Sequence, residues 1–147
     1  MRIGVASCDA EALVCTPVET LYRDKRGDSH IDDILDLVDE YGAIEVIVGL
    51  PRHMDGSEGY QAKDARRVAR TLSLQTRDIA VRLVDERLTS VSAHRALHEA
   101  GRSARHHRSV VDQVAAVMIL ELALDIERQT GEPPGELVHP RKGPRGA

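Results

Sequence analysis

The sequence predicts an α/β protein in which a mixed sheet is flanked by helices. Short apolar runs at the start of the chain indicate a β-hairpin, and strand and helix patterns alternate after it. Such alternation is typical of parallel strands joined by right-handed crossovers, with helices on the faces of the sheet. The 147 residues are enough for one domain with a core of its own.

Hydrophobic periodicity sets the bounds of the predicted elements. Pro17 and Pro51 are expected to stop the strands before them, because proline has no N–H to donate to a ladder. Residues 1–130 are predicted to form the domain, and residues 131–147, rich in Gly and Pro, a disordered tail. The elements predicted in chain order are strands Arg2–Cys8 and Ala12–Cys15, helix His30–Tyr41, strand Ile44–Leu50, a helix ending near Leu74, strand Ile79–Val84, and helices Thr89–Ala100 and Ser109–Gln129.

The composition excludes several classes of protein. Phe and Trp are absent, so an RNA-binding sheet built on stacked aromatic rings is not expected. The net charge of −4 provides no global positive field, and any nucleic-acid contact must therefore come from a local patch. Cys8 and Cys15 are expected to be reduced thiols of a cytoplasmic protein, because they are too few for a zinc site. No apolar run reaches the length of a membrane span.

Charged residues end the predicted strand Ile79–Val84 abruptly. Asp85, Glu86 and Arg87 follow its last apolar residue. Active sites of open α/β sheets lie outside the carboxyl ends of the strands, which is where these two carboxylates fall. A solvated turn between a strand and a helix explains the same residues, and the stretch alone favours neither interpretation.

A further acid, Asp112, lies near the start of the predicted last helix. Ser109 and Asp112 have the spacing of a capping box, so a helix cap is the first interpretation of Asp112. Carboxylates that converge from several elements at one end of a sheet also make a site for hard cations such as Mg²⁺, and both roles are compatible. Two such ions would clamp the attacking and leaving oxygens of a phosphodiester displacement.

Basic residues precede the last helix in a run without any acid, predicted to be a loop over residues 102–108. Arg102, Arg105 and Arg108 would neutralise a nucleic-acid backbone beside the metal site, although most such runs are ordinary solvated loops. Arg87 would likewise contact phosphate, or else pair with one of the acids beside it.

Six blocks of sequence then point to a known family. Together they resemble the YqgF/RuvX family of RNase H-like proteins, whose members are named as Holliday junction resolvases and as pre-16S rRNA nucleases. No block is decisive alone, but the ordered set is specific. In chain order, the blocks are Arg2–Ala6, Thr16–Thr20, Val48–Pro51, Asp55–Gly59, Val84–Thr89 and Val111–Ala116.

The resemblance implies an RNase H-like mixed sheet, flanked by helices, over the predicted domain. It also implies metal-dependent hydrolysis of phosphodiester bonds, with maturation of the 5′ end of pre-16S rRNA as the main role. Several carboxylates hold Mg²⁺ or Mn²⁺ in such folds. The ligand at the end of the family's fourth strand maps to Glu86, with Asp85 beside it in a supporting position, and the ligand on its last helix maps to Asp112.

The family pattern contains one strand more than this sequence. Its first strand has the form apolar-Gly-Asp-x-Gly and carries a metal ligand, whereas this sequence starts at Met1, inside the second strand. Without a central strand, the strands around the gap would leave backbone N–H and C=O groups unpaired. We therefore expect the natural chain to begin roughly ten to thirty residues earlier, with the missing strand and its turn.

Three functions are compatible with these observations. The first is a nuclease in which Glu86 and Asp112 bind the metal while the basic residues position the phosphate backbone. The second is a non-catalytic ribosome-maturation or nucleic-acid-binding protein that keeps the fold without full metal ligation. The third, junction resolution, uses the same chemistry on branched DNA. Expected partners are pre-16S rRNA or branched DNA and ribosomal particles, and the protein is expected to be a monomer or a homodimer.

Overall fold

The computed structural model describes residues 2–9, 14–22, 29–76, 78–88 and 105–139, and the side chains of all these except residues 2 and 105–111. The predicted helix Thr89–Ala100 and Arg102 lie outside the described residues. The mixture of strands and helices confirms the α/β class. The elements are β1 Arg2–Cys8, β2 Cys15–Tyr22, α1 Ser29–Tyr41, β3 Glu45–Leu50, α2 Tyr60–Gln75, β4 Ala80–Asp85, a 3₁₀ turn Glu86–Leu88, α3 Arg105–Thr130 and β5 Glu136–Leu137.

The strands are divided between two ladders. β1 pairs with β2 in the antiparallel direction, whereas β3 and β4 are parallel and β5 is antiparallel to β4. Among the described residues, no ladder joins β1 to β3, so each of these two strands has one edge without a strand partner. The expected mixed sheet is therefore present in β3, β4 and β5, whereas β1 and β2 form a separate antiparallel sheet. α3 packs on β1, β2 and β3 and so contacts both sheets.

Alternating side chains of β4 build a core on each face of its sheet. Val81 and Leu83 are buried in one cluster, which includes Leu72 of α2. Val84, the next residue after Leu83, is buried in a second cluster with Ile119 of α3. Successive residues of a strand point to opposite faces, so α2 and α3 cover opposite sides of this sheet. Each such side chain stabilises the fold by about 1.5–3 kcal/mol through burial.

Pro17 lies inside β2, so the prediction that it ends a strand is wrong. The register shifts where Val5 pairs with Glu19 and the next residue, Ala6, pairs with Pro17. Val18 is therefore an extra residue on β2, which is a β-bulge. Proline is tolerated at bulges because the ladder is already interrupted there and no hydrogen bond from its nitrogen is needed.

α3 begins at Arg105, which corrects two predictions. The predicted basic loop is wrong for residues 105–108, because they form the first turn of the helix. The cap interpretation of Asp112 is also wrong, because this acid lies seven residues after the helix start. The amide groups that need a cap belong to the first turn only.

None of the described helices is long and apolar enough to cross a membrane.

The chain after α3 returns to the sheet, so the predicted disordered tail is wrong for the residues up to His139. Glu136–Leu137 forms β5, and Val138 donates a backbone hydrogen bond of 2.9 Å to Val81. Gly135 has a φ of +70°, and a Cβ at this position would collide with the carbonyl group of Leu83. Glycine is therefore required where the chain approaches β4.

Candidate functional site

Glu86 is a buried acid at the carboxyl end of a strand. It directly follows β4, and only 4% of its surface is exposed. The ideal Cβ position at Gly49 lies 2.7 Å from Glu86 Oε2 and 2.7 Å from Cδ1 of Ile119. The carboxylate thus lies between β3 and α3, on the face that α3 covers. Burying a carboxylate costs free energy, so its place here favours a functional role over a charged turn.

Two glycines make room for this arrangement. Any side chain at Gly49 would displace Glu86, as the distance above shows. A Cβ at Gly4 of β1 would collide with the carbonyl group of Asp112, so β1 lies directly against the backbone of α3. Gln113 Nε2 also donates a hydrogen bond of 3.0 Å to Thr20 Oγ1 on β2. The hairpin therefore holds the segment of α3 that carries Asp112.

Asp112 and Glu86 lie on the same side of the β3–β4 sheet. Asp112 is half-buried and seven residues before Ile119, the α3 residue beside Glu86. Seven residues make about two helical turns, so Asp112 and Ile119 share one face of α3, about 10 Å apart along its axis. Ala115, between them, is fully buried. Glu86 and Asp112, 26 residues apart in sequence, therefore both lie on the side of the sheet that α3 covers.

Asp85 is engaged by two arginines. Its Oδ2 accepts hydrogen bonds of 2.7 Å from Arg87 Nη2 and 3.4 Å from Arg52 Nη1, and its Oδ1 accepts one of 2.9 Å from the backbone N–H of Arg87. The Arg87 guanidinium is the main reason that the pKa of the Asp85 carboxyl lies below its ordinary value. Of the two partners expected for Arg87, the structure shows pairing with an acid. Asp85 holds these cations in place.

A chain of ion pairs continues from Arg52 to the edge of the sheet. Arg52 Nε donates to Glu58 at 3.1 Å, and both Nε and Nη2 of Arg66 donate to Glu58 at 2.7 Å. Arg66 also reaches Glu136 of β5 at 3.0 Å. The loop after β3 is thereby tied to α2 and β5. The sequence prediction assigned no role to Arg52 or Glu58, although opposite charges at the two ends of an Asp-Gly turn are a signal for such a pair.

The same loop, residues 51–59, is shaped by its turn. Gly56 has a φ of +91°, which glycine adopts without strain. Asp55 Oδ1 accepts hydrogen bonds of 2.8 Å from the N–H and 2.7 Å from the hydroxyl of Ser57, and these bonds lower the pKa of Asp55. Arg87 Nη1 donates to the carbonyl of Met54 at 3.4 Å. The loop therefore lies beside the end of β4, next to Asp85 and Glu86.

The ion pairs of Glu58 are expected to stabilise the fold at neutral pH and to lose this effect in acid. The Arg66 guanidinium, assisted by Arg52, lowers the pKa of Glu58 from 4.5 to about 2. Because this pKa is depressed in the folded state, the contribution is complete above pH 4.5 and is lost as the pH falls towards 2. We expect Glu58→Gln to reduce the free energy of unfolding by about 1 kcal/mol at pH 7 and to have a much smaller effect near pH 2. Urea unfolding at both pH values measures this difference.

Glu127→Gln is the matched control for that measurement. Glu127 is an exposed acid on α3, outside the ion-pair chain. The control is expected to change the unfolding free energy at neither pH value. Equal behaviour of the two variants at pH 7 would contradict the role assigned to Glu58.

The carboxylates of Glu86 and Asp112 are the kind of oxygen ligand that hard cations such as Mg²⁺ prefer. Within the described ranges, no group of three His, Cys, Asp or Glu residues is arranged to hold a metal ion. Mg²⁺, however, is commonly bound through one or two carboxylates, with waters and substrate phosphates completing its coordination. Glu86 and Asp112 are oxygen donors of this kind. The side chains of Arg105 and Arg108, like Arg102, lie outside the described residues.

A mixed α/β fold with a buried acid after β4 and a second acid on the packed last helix is consistent with a protein of the RNase H-like class. The chain belongs to the RuvX family, whose model is described as "Holliday junction resolvase" and matches residues 1–126. The match ends within α3, so it includes every acid of the site.

Relatives with curated names extend the similarity over nearly the whole chain. A protein of Kineococcus radiotolerans is 45% identical over 147 residues, which are all of this chain and 78% of the relative. A protein of Nocardioides sp. is 48% identical over 139 residues, covering 93% of this chain and 89% of the relative. One of Streptomyces coelicolor is 47% identical over 135 residues, covering 92% and 80%. Each is named "Putative pre-16S rRNA nuclease".

Proposed function

We propose that this protein is a nuclease that hydrolyses phosphodiester bonds in the maturation of the 5′ end of pre-16S rRNA. The observation that carries the proposal is the buried carboxylate of Glu86 on the same face as Asp112, in a chain similar along its length to relatives named for this substrate. The substrate is RNA in the cytoplasm, free or within ribosomal particles.

Glu86 and Asp112 would hold Mg²⁺ or Mn²⁺ in this function. Bound Mg²⁺ supplies positive charge that stabilises the charge developing on the phosphate oxygens. The two acids contribute anionic oxygen ligands from two elements, the end of β4 and α3. Because Glu86 is buried beside Gly49, its orientation is set before substrate arrives, which reduces the cost of assembling the site.

Asp85 and the arginines would position the substrate. Asp85 fixes Arg87 through its side chain and its backbone, and Arg87 keeps 28% of its side chain exposed. A guanidinium held in one orientation loses little entropy when it binds a phosphate oxygen. Arg102, Arg105 and Arg108 would extend this phosphate contact along the RNA backbone, without reading its sequence.

Cleavage assays on two substrates test the proposal. One substrate is an RNA that spans the 5′ end of 16S rRNA with its precursor extension, and the other is a four-way DNA junction. With Mg²⁺ or Mn²⁺, we expect the RNA to be cut at the mature end and the junction to remain intact. Glu127→Gln, remote from the site acids, serves as the active control.

The other outcomes separate the alternative functions. Symmetric cutting of the junction alone would replace the proposal with junction resolution, the activity in the family description. RNA binding that persists with a chelator, without cleavage under any condition, would replace it with a non-catalytic binding protein.

A further inference from the structure

The two cysteines of the chain lie directly opposite each other on the hairpin. Cys8 is the last residue of β1, Cys15 is the first residue of β2, and the register pairs them. Both are free thiols, and both are partly buried. Their separation in sequence gave no indication of this contact, and the function proposed above makes no use of it.

The hydrogen bonds of the hairpin end define the geometry of this pair. Just beyond this last ladder pair, the N–H of Asp9 donates a hydrogen bond of 3.2 Å to the carbonyl of Val14, and Asp9 Oδ1 accepts one of 3.0 Å from the N–H of Val14. Hydrogen-bonded and non-hydrogen-bonded pairs alternate in antiparallel ladders, so Cys8 and Cys15 form a non-hydrogen-bonded pair. Cα atoms of such pairs are about 4.5 Å apart, within the range of about 4.4–6.8 Å that a disulfide spans.

We propose that Cys8 and Cys15 are a site of reversible oxidation, at which a small-molecule disulfide such as oxidised glutathione converts the two thiols into one intramolecular disulfide. The Cys8 thiolate attacks one sulfur of the reagent and forms a mixed disulfide, and the first glutathione leaves as its thiolate. Cys15 then attacks the Cys8 sulfur, loses its proton and releases the second glutathione as a thiol. Two protein thiols and one reagent disulfide thus become one protein disulfide and two reagent thiols.

The raised pKa of the Cys15 thiol indicates which cysteine reacts with the reagent first. Burial, the adjacent Cys8 thiol and the acids Glu121 and Asp9 raise the pKa of Cys15 to about 12. A thiol with this pKa is protonated at neutral pH and is a poor first nucleophile. Cys8 therefore reacts first, and Cys15 is delivered to the mixed disulfide by its fixed position across the ladder.

The disulfide would brace the hairpin that holds α3. Gly4 and Thr20 of the same hairpin contact the α3 segment around Asp112 and Gln113. A cross-link between β1 and β2 restricts the unfolded chain over the short loop between the cysteines. Oxidation is expected to raise the Tm of the protein by about 5 °C.

The test uses the full chain, oxidised glutathione at pH 8, and peptide mapping by mass spectrometry without a reductant. The expected product is a link between Cys8 and Cys15 within one chain, seen as a joined peptide pair after cleavage at Asp9 or Glu11, that dithiothreitol returns to two thiols. Cys15→Ser is expected to stop at the mixed disulfide on Cys8. Cys8→Ser, which keeps only Cys15, is expected to form its mixed disulfide more slowly than Cys15→Ser, because burial and the nearby acids still hold the pKa of Cys15 above its ordinary value.

Two results would overturn the proposal. One is glutathione on both cysteines of the unmodified sequence without a link between them. The other is linkage between two chains only, which would mean that the thiols do not meet within one hairpin. Neither result depends on nuclease activity, so the test is independent of the proposed function.

Discussion

Replacing Glu86 with Gln is expected to reduce RNA cleavage by about a thousandfold or more. The amide keeps the size of the side chain but removes the negative charge that would hold the metal, and a thousandfold loss corresponds to about 4 kcal/mol of transition-state stabilisation. The variant should remain folded, with a Tm close to that of the unmodified protein, because burial of a neutral amide costs less than burial of a carboxylate. Single-turnover cleavage and thermal unfolding measure both effects.

Metal binding provides a readout that does not depend on cleavage. Titration calorimetry with Mn²⁺ is expected to show binding to the unmodified chain and at least tenfold weaker binding to Glu86→Gln and to Asp112→Asn. Glu127→Gln should bind as the unmodified chain does. Full cleavage activity in the Glu86→Gln variant would exclude this residue as a ligand, whatever its effect on stability.

Replacing Gly4 with Ala is expected to be the most destabilising small substitution on β1, at about 2–3 kcal/mol. The added methyl group would overlap the backbone carbonyl of Asp112, and backbone cannot move aside as a flexible side chain does. Either β1 or α3 must shift, and the contact between the hairpin and the helix is lost in part. Urea unfolding measures the change, and weaker Mn²⁺ binding is expected with it because Asp112 moves.

Gly42→Ala separates this effect from the general cost of replacing glycine. Gly42 follows α1 with a φ of +60°, and a Cβ there would meet no atom within 4 Å. Its replacement is expected to cost about 1 kcal/mol, from backbone strain alone. A Gly4→Ala variant as stable as Gly42→Ala would mean that β1 does not pack against α3 as described.

The α/β class and most element bounds could be predicted from local patterns. Strand Ile44–Leu50 was predicted within one residue of β3, and helix His30–Tyr41 within one residue of α1. The strand is a nearly continuous apolar, β-branched run and the helix has clear helical periodicity, and both signals can be read from neighbouring residues. Errors arose where strand pairing overrode a local signal. At Pro17, a β-bulge removed the need for a backbone N–H at that position, so the strand continues through the proline.

The candidate acids could also be identified from the sequence, but their roles could not. Asp85 and Glu86 are adjacent carboxylates, and only the tertiary structure separates an acid bound by Arg52 and Arg87 from one buried against α3. Asp112 was equally ambiguous until the start of α3 at Arg105 excluded the cap. Spacing in sequence cannot distinguish such cases, because helix starts depend on packing as well as on capping residues.

The sequence by itself therefore determined the fold class, the family blocks and the acids to consider. The tertiary structure decided which acid is buried, why Gly4 and Gly49 carry no side chain, and that Cys8 faces Cys15. The physical reason is the range of the interactions. Periodicity and turn chemistry act over a few residues, whereas burial, ion pairing and strand register join residues that are distant in the chain and meet only after folding.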